Sequence, residues 1–158
     1  MSQVNPDQLD LPTLASLAGS AANSYLLRRL RDDGYSGVRI SHGYVIQNLI
    51  DESPTVGELA DRLGVTQQAA SKTVVEMEGL GLLTRVPDAG DSRARRVTLS
   101  TRGQALLAAG RAARAELEQM VGADVGDLVA AKRALVSLLE HTGELAAVLR
   151  RRVRPASE

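Results

Sequence analysis

Four polar side chains at helical spacing, Gln67, Gln68, Ser71 and Lys72, stand ahead of a stretch holding Arg85, Arg93, Arg95, Arg96 and Arg102. Glutamine amides match the donor and acceptor pairs on base edges, and Ser hydroxyls and Lys ammonium groups suit phosphates. Arginine reaching into a narrow minor groove exploits its negative potential. Asp91, two residues before Arg93, has the reach to orient that guanidinium by a bidentate pair. The chemistry implied is non-covalent: gripping and reading a nucleic-acid duplex. A polar helix face alone is usually a solvated face, and a charged hairpin alone is often only a soluble surface. The two in succession point to DNA.

The elements that must position these groups follow from local pattern. Thr55 lies three residues before Glu58, the spacing of a capping box at a helix start. Leu59, Ala60 and Leu63 form a short apolar stripe, and Gly64 stands where a helix stops in a left-handed residue. Thr66 caps a second helix, whose Ala70, Thr73, Val74 and Met77 recur at core spacing and leave the polar set on the opposite face. Two short helices joined by a tight glycine-containing turn match a helix-turn-helix. The run LLTRVPDAGDSRARRVTLS then reads as strand, turn and alternating strand, with Gly90 permitting a sharp turn at the tip. A hairpin so rich in arginine is a basic wing.

This stretch resembles the MarR family (multiple antibiotic resistance regulators) of bacterial winged helix-turn-helix transcription factors. The resemblance rests on the ELADRLGVT entry, Gly81-Leu82-Leu83, the D-S-R wing at Asp91 to Arg93 and the VTLSTRG exit from Val97 to Gly103. It implies a homodimer interlocked by N- and C-terminal helices, with two recognition helices on successive major grooves of a near-palindromic site. The resemblance also implies DNA release by small, often aromatic or anionic molecules bound between the dimer helices and the DNA-binding lobes.

Composition sets the bounds. The chain has 158 residues, 44% of them hydrophobic but only 2% aromatic, so its core must be built from Leu, Val, Ile and Ala, which suits packed helices. Formal net charge is +0, so affinity for nucleic acid must come from a local patch. With Cys 0, disulfides, thiolate zinc sites and thiol redox sensing are excluded. His42 and His141 are the only histidines, which argues against a histidine-rich metal site. No basic-then-apolar leader is visible, and no run approaches the roughly 18 apolar residues of a membrane span. A cytoplasmic protein is expected, with no cofactor and no membrane partner.

Flanking the winged unit, Asp10 caps a helix whose first turn holds Pro12 and whose apolar positions run from Leu14 to Leu30. Ser41 is the expected N-cap of the next helix, with Ile40 and Val45 as a hydrophobic staple. Ser100 caps a long helix expected to break at Gly122 to Asp127, and a last helix from Asp124 or Val125 is bent or split at Gly143. The tail Arg150 to Arg154 reads as a solvated helix end or a phosphate contact. Leu- and Ala-rich stripes at both ends of the chain would leave apolar surface bare in a monomer.

The expected fold is therefore mainly α with a small β-hairpin wing, a winged helix-turn-helix flanked by long dimerisation helices. Residues 1–9 are a flexible N-terminus, 10–34 and 101–152 the dimerisation helices, and 35–100 the DNA-binding lobe. Within the lobe, 55–63 is the first helix of the motif, 66–80 the recognition helix and 82–99 the wing. The expected DNA-binding residues are Thr66, Gln67, Gln68, Ser71 and Lys72 on the recognition helix, and Asp91, Arg93, Arg95 and Arg96 on the wing. Tyr25, His42 and Tyr44 are candidates to line an effector pocket, against the reading that they are ordinary core or interface residues.

The function expected is a sequence-specific transcriptional regulator, a repressor with double-stranded DNA, itself and a small effector as partners. The alternatives are a winged-helix module that binds protein, and a DNA-binding regulator that needs no ligand. No P-loop, G-x-G-x-x-G, G-x-S-x-G, Cys nucleophile or paired-histidine motif is present, so an enzyme is not expected.

Overall fold

A left-handed glycine and two threonine caps set the centre of the fold. A computed structural model describes residues 5–91 and 93–149. Helix α1 spans Leu11–Asp32, α2 Ile40–Asn48, α3 Val56–Leu63 and α4 Gln67–Gly79. Strands β1 (Leu83–Pro87) and β2 (Arg95–Leu99) follow, then α5 (Thr101–Val125), α6 (Leu128–His141) and α7 (Leu145–Leu149). The basic run at 150–154 lies outside the described residues, as does Ser92 of the wing motif.

The capping box at α3 forms as expected: Thr55 N–H donates to Glu58 Oε2 (2.7 Å), and Glu58 N–H donates to Thr55 Oγ1 (3.3 Å). Gly64 takes φ 66°, and Val65 N–H closes the turn on Ala60 O (3.1 Å). Thr66 Oγ1 then accepts from Ala69 N–H (3.2 Å), so α4 starts at once and crosses α3 tightly. Leu59, Val74, Met77 and Val97 are fully buried where α3, α4 and the wing meet. Aliphatic side chains fill this core without any Phe or Trp.

The antiparallel wing pairs Leu83 with Leu99, Arg85 with Val97 and Pro87 with Arg95. A third partner was invisible in the sequence. Pro54 O accepts from Val97 N–H (2.8 Å), and Thr55 bridges Arg96, so the segment before α3 serves β2 as a short outer strand. Pro54 lacks an N–H but keeps its carbonyl, which suits it to such an edge.

Three local expectations need correction. Helix α2 starts at Ile40, with Arg39 rather than Ser41 at the cap: Arg39 N–H donates to the His42 ring at Nδ1 (3.2 Å). The break expected within Gly122 to Asp127 falls at its far end: α5 runs through Gly122 to Val125, and α6 starts at Leu128 instead of Asp124 or Val125, with Asp127 as its cap. A glycine inside a helix costs only about 1 kcal/mol, and here the missing side chain lets Leu128 pack back on the helix, since a Cβ would come within 2.9 Å of Leu128 Cδ1. Residues 5–9, expected to fray, hold a short 3₁₀ turn at Pro6–Gln8 capped by the Asn5 side chain. Asp10 caps α1 through Thr13 N–H (2.8 Å), and Gly143 (φ 74°) separates α6 from α7, both as expected.

Helices α1 and α5 pack together through Leu26, Leu30, Leu106 and Ala113, with Arg29 and Glu116 paired at 3.2 Å. Helix α6 buries none of its 14 residues. No helix among the described residues is long and apolar enough to cross a membrane.

Candidate nucleic-acid interface

Helix α4 presents its N-terminal half outward. Thr66, Gln67, Gln68 and Lys72 are exposed and Ser71 is half-buried, while Ala70, Val74 and Met77 anchor the opposite side. Lys72 has no ion pair among the described residues, so its charge is available to an external anion. Val75 is 56% exposed on the same helix. Its apolar type gave no functional signal in the sequence, yet an exposed methyl pair beside Gln68, Ser71 and Lys72 has the chemistry to meet a thymine methyl.

The wing divides its arginines into two groups. Arg85 is held by Glu78 through Nε (3.1 Å) and Nη2 (3.1 Å), which ties β1 to the end of α4. Arg102 donates to Gly34 O (2.9 Å) and stacks over the Tyr35 ring at 4.8 Å. Arg96, expected with Arg95 among the DNA-binding residues of the wing, turns to partners within the lobe instead. It pairs with Asp88, donates to Ser53 O (2.8 Å) and lies 3.6 Å from Glu58. Asp88 is local to the wing, but Ser53 and Glu58 come from the segment before α3 and the start of that helix, which the wing sequence does not announce. Arg93 and Arg95 are exposed and carry no ion pair among the described residues.

The tip is built differently from the expectation. Asp91 Oδ1 accepts from the Arg93 backbone N–H (2.9 Å), not from its guanidinium. Asp88 Oδ1 accepts from Gly90 N–H (2.7 Å) and Asp91 N–H (3.0 Å). Gly90 has no positive φ, so the turn comes from the Asp88 carboxylate rather than from glycine's freedom. The Gly90 N–H above all, with Arg96, holds the Asp88 pKa below the usual carboxylate range.

The proposed pocket residues do not converge. A cavity of about 70 Å³ lies between α1, α2 and α5, walled by Leu26, Leu30, Ile46, Leu106 and Leu107, with Arg39 and Arg114 at its edge. Tyr25, His42 and Tyr44 are not in its wall. Tyr25 is half-buried on α1, where burial, with the Glu116 carboxylate next, raises its pKa. Tyr44 packs against the core. His42 is fully buried, and its Nε2 lies 3.4 Å from Glu76 Oε1 of α4.

This geometry has counterparts. Residues 36–94 match the model of the MarR family. Among solved structures, the S. aureus MepR–DNA complex shares 18% identity at a TM-score of 0.64, over 86% of this chain and 98% of that one. YusO from Bacillus subtilis shares 19% at 0.63, over 88% and 99%. The transcriptional regulator BldR from Sulfolobus solfataricus shares 23% at 0.57, over 89% and 99%. At such identities the likeness is one of fold. No curated protein sequence matches the chain.

Proposed function

We propose that the chain, whose residues 36–94 match the MarR family, is a cytoplasmic winged helix-turn-helix transcriptional regulator that binds double-stranded DNA as a homodimer. The observation that carries the reading is the separation of free from held cations. Arg85, Arg96 and Arg102 are satisfied within the lobe, whereas Lys72, Arg93 and Arg95 are exposed and unpaired among the described residues. Within the lobe, the free cations among the described residues fall on the reading helix and the wing, so in a chain of net charge +0 that lobe carries a directed patch. A protein-binding module would have no need of Gln67, Gln68 and Lys72 on one solvated face.

Dimerisation is supported by the bare apolar surface of the terminal helices. Leu17 is 57% exposed on α1, Val129 68% on α6 and Leu149 71% on α7. Two copies burying these faces against each other would present two α4 helices to one side of a duplex, and hence favour a near-palindromic operator. Repression follows if that operator overlaps a promoter. MarR-family regulators work by binding, and no catalytic role is assigned to any residue.

The cavity favours a second reading for regulation. At about 70 Å³ it is far below the roughly 300 Å³ of a typical small-molecule site. Release by an aromatic or anionic ligand therefore requires the α1, α2 and α5 walls to part, with Arg114 among the lining residues to meet an acid. A regulator that needs no ligand fits a cavity this small as it stands.

The test is fluorescence anisotropy with duplexes from the intergenic region upstream of the gene, with sheared DNA as competitor, alongside light scattering. A dimer mass, a preferred duplex and an affinity falling steeply with salt support the proposal. A monomer, or binding equal to that of sheared DNA, would sink it.

A further inference from the structure

One ionic cluster stands a helical turn beyond Lys72 on α4. Arg39, at the cap of α2, pairs through Nη2 with Glu76 Oε2 on α4. Three residues on, fully buried His42 places Nε2 3.4 Å from Glu76 Oε1. Both oxygens of this one carboxylate thus face groups from the segment 39–42. The ring has little freedom, because Arg39 N–H donates to Nδ1 and so fixes the neutral tautomer with its proton on Nε2. Nε2 makes no hydrogen bond among the described residues, and the Glu76 carboxylate, 3.4 Å away, is the acceptor it lies beside.

Charge argues for a role beyond packing. Glu76 stands on the helix that carries Lys72, where an unneutralised carboxylate would repel phosphate. Arg39 cancels that charge, and it does so from another helix, so the pair also restrains how α4 can roll about its axis. The helices α2 and α4 are otherwise joined chiefly through α3, which packs on both. A direct side-chain link from α2 to the middle of α4 therefore constrains a rotation that the shared packing on α3 leaves softer.

We propose that Arg39 and His42 clamp Glu76 to set the roll of α4, making His42 and Glu76 positioning residues for base discrimination by Gln67, Gln68 and Ser71. The proposal rests on the DNA-binding reading above. It assigns the clamp no contact with DNA. Loosening it should blur the choice between sequences while leaving the grip on any duplex intact, because Lys72, Arg93 and Arg95 are untouched.

The test uses the full chain, a duplex selected by the wild type from a random library, and a scrambled duplex of equal length. His42→Asn keeps an acceptor near Nδ1 for the Arg39 N–H but cannot reach Glu76, whereas His42→Gln keeps a donor near Nε2. Glu76→Ala removes the carboxylate from a partly exposed position and covers the event that a His42 variant folds poorly. Glu76→Ala and His42→Asn should lower the ratio of selected to scrambled affinity by about tenfold, the scale of one misplaced base contact. Scrambled binding should hold or rise, and His42→Gln should recover part of the ratio. Amide hydrogen exchange across Gln67–Gly79, measured without DNA, should quicken in the same two variants.

An unchanged ratio with unchanged exchange overturns the clamp. So does an equal loss on both duplexes accompanied by a lower melting temperature, the mark of a merely structural role. If the wild type distinguishes no duplex, the DNA reading fails by itself and the role in base discrimination falls with it. Exchange then still reports on the mechanical link, which unchanged rates would also refute.

Discussion

The Asp91 carboxylate accepts a hydrogen bond from the Arg93 backbone N–H at 2.9 Å and leaves the Arg93 guanidinium free. An acidic residue two positions before an arginine can orient either the side chain or the chain itself, and here it orients the chain. Asp88 does the same for Gly90 and Asp91 while pairing with Arg96. The two acids of the wing thus shape the tip, and they leave Arg93 and Arg95 without an ion pair among the described residues.

The split between free and held arginines separates two phenotypes. Arg93→Ala should lose DNA affinity by about tenfold or more without lowering the melting temperature, since an exposed tip adds little to the core. Arg93→Lys should recover only part, because an ammonium lacks the planar fork. Arg96→Ala should instead lower the melting temperature by about 2–4 °C, because it frees Ser53 O and Asp88 at the seam between the wing and α3. Anisotropy and thermal melts on the three variants check this, and a reversed pattern would overturn the division.

Much of the lobe was legible because its signals are local. Thr55 and Glu58, Gly64, Thr66 and Ser100 each declare a helix end within a few residues, and each end falls where expected. What sequence could not supply is the identity of distant partners. Arg96 meets Ser53 across 43 positions and Arg102 meets Gly34 across 68, so their types read as surface charge until the fold joins them. The same holds for His42, whose ring caps its own helix and faces Glu76 on another, a role that a lone histidine in a helix start does not announce. The Gly122 misreading has another cause: glycine lowers helix propensity, but close approach of Leu128 made its small size useful there.

On the recognition helix, Gln67→Ala or Gln68→Ala should cost about 1–3 kcal/mol on the preferred duplex and relax its sequence preference. Lys72→Ala should weaken all duplexes alike and reduce the salt slope by about one. Val75→Thr tests the residue found only in the structure: a selective loss at one base position, with Tm unchanged, would identify a methyl contact. Selection from a random library for each variant reads all three effects at once.

Gly103 opens a prediction about stability alone. It sits in the first turn of α5, where a Cβ would collide with the Leu82 backbone carbonyl that itself accepts from Ser100 N–H. Backbone cannot yield as a side-chain tip can. Gly103→Ala should therefore destabilise by about 1–3 kcal/mol and loosen the wing from α5, although alanine is the better helix former. Denaturant titration decides it; wild-type stability would show that the helix start can shift.

The last prediction concerns pH. Burial holds the His42 pKa below its ordinary value of 6.5, against the opposing pull of the Glu76 carboxylate, and the nearby Arg39 guanidinium pushes in the same direction as burial. An unfolded chain would titrate this ring near 6.5 and so bind the proton more readily than the folded one. The stability linked to neutral His42 is therefore fully present above that pH and declines as pH falls below it, by at most about 1.4 kcal/mol per unit for one proton. Protonation also puts a donor at Nδ1 against the Arg39 N–H and so undoes the α2 cap. Carboxylates add their own acid sensitivity lower down: the Thr55 backbone N–H lowers the Glu58 pKa, so its contribution is lost as pH drops through that lowered value. Subtracting a non-titrating variant isolates the histidine. Between about pH 7 and 5, wild type should lose stability faster than His42→Asn, and the two curves should run parallel above about 7. Superimposable curves over the whole range would mean that the buried ring does not titrate on unfolding as its surroundings require.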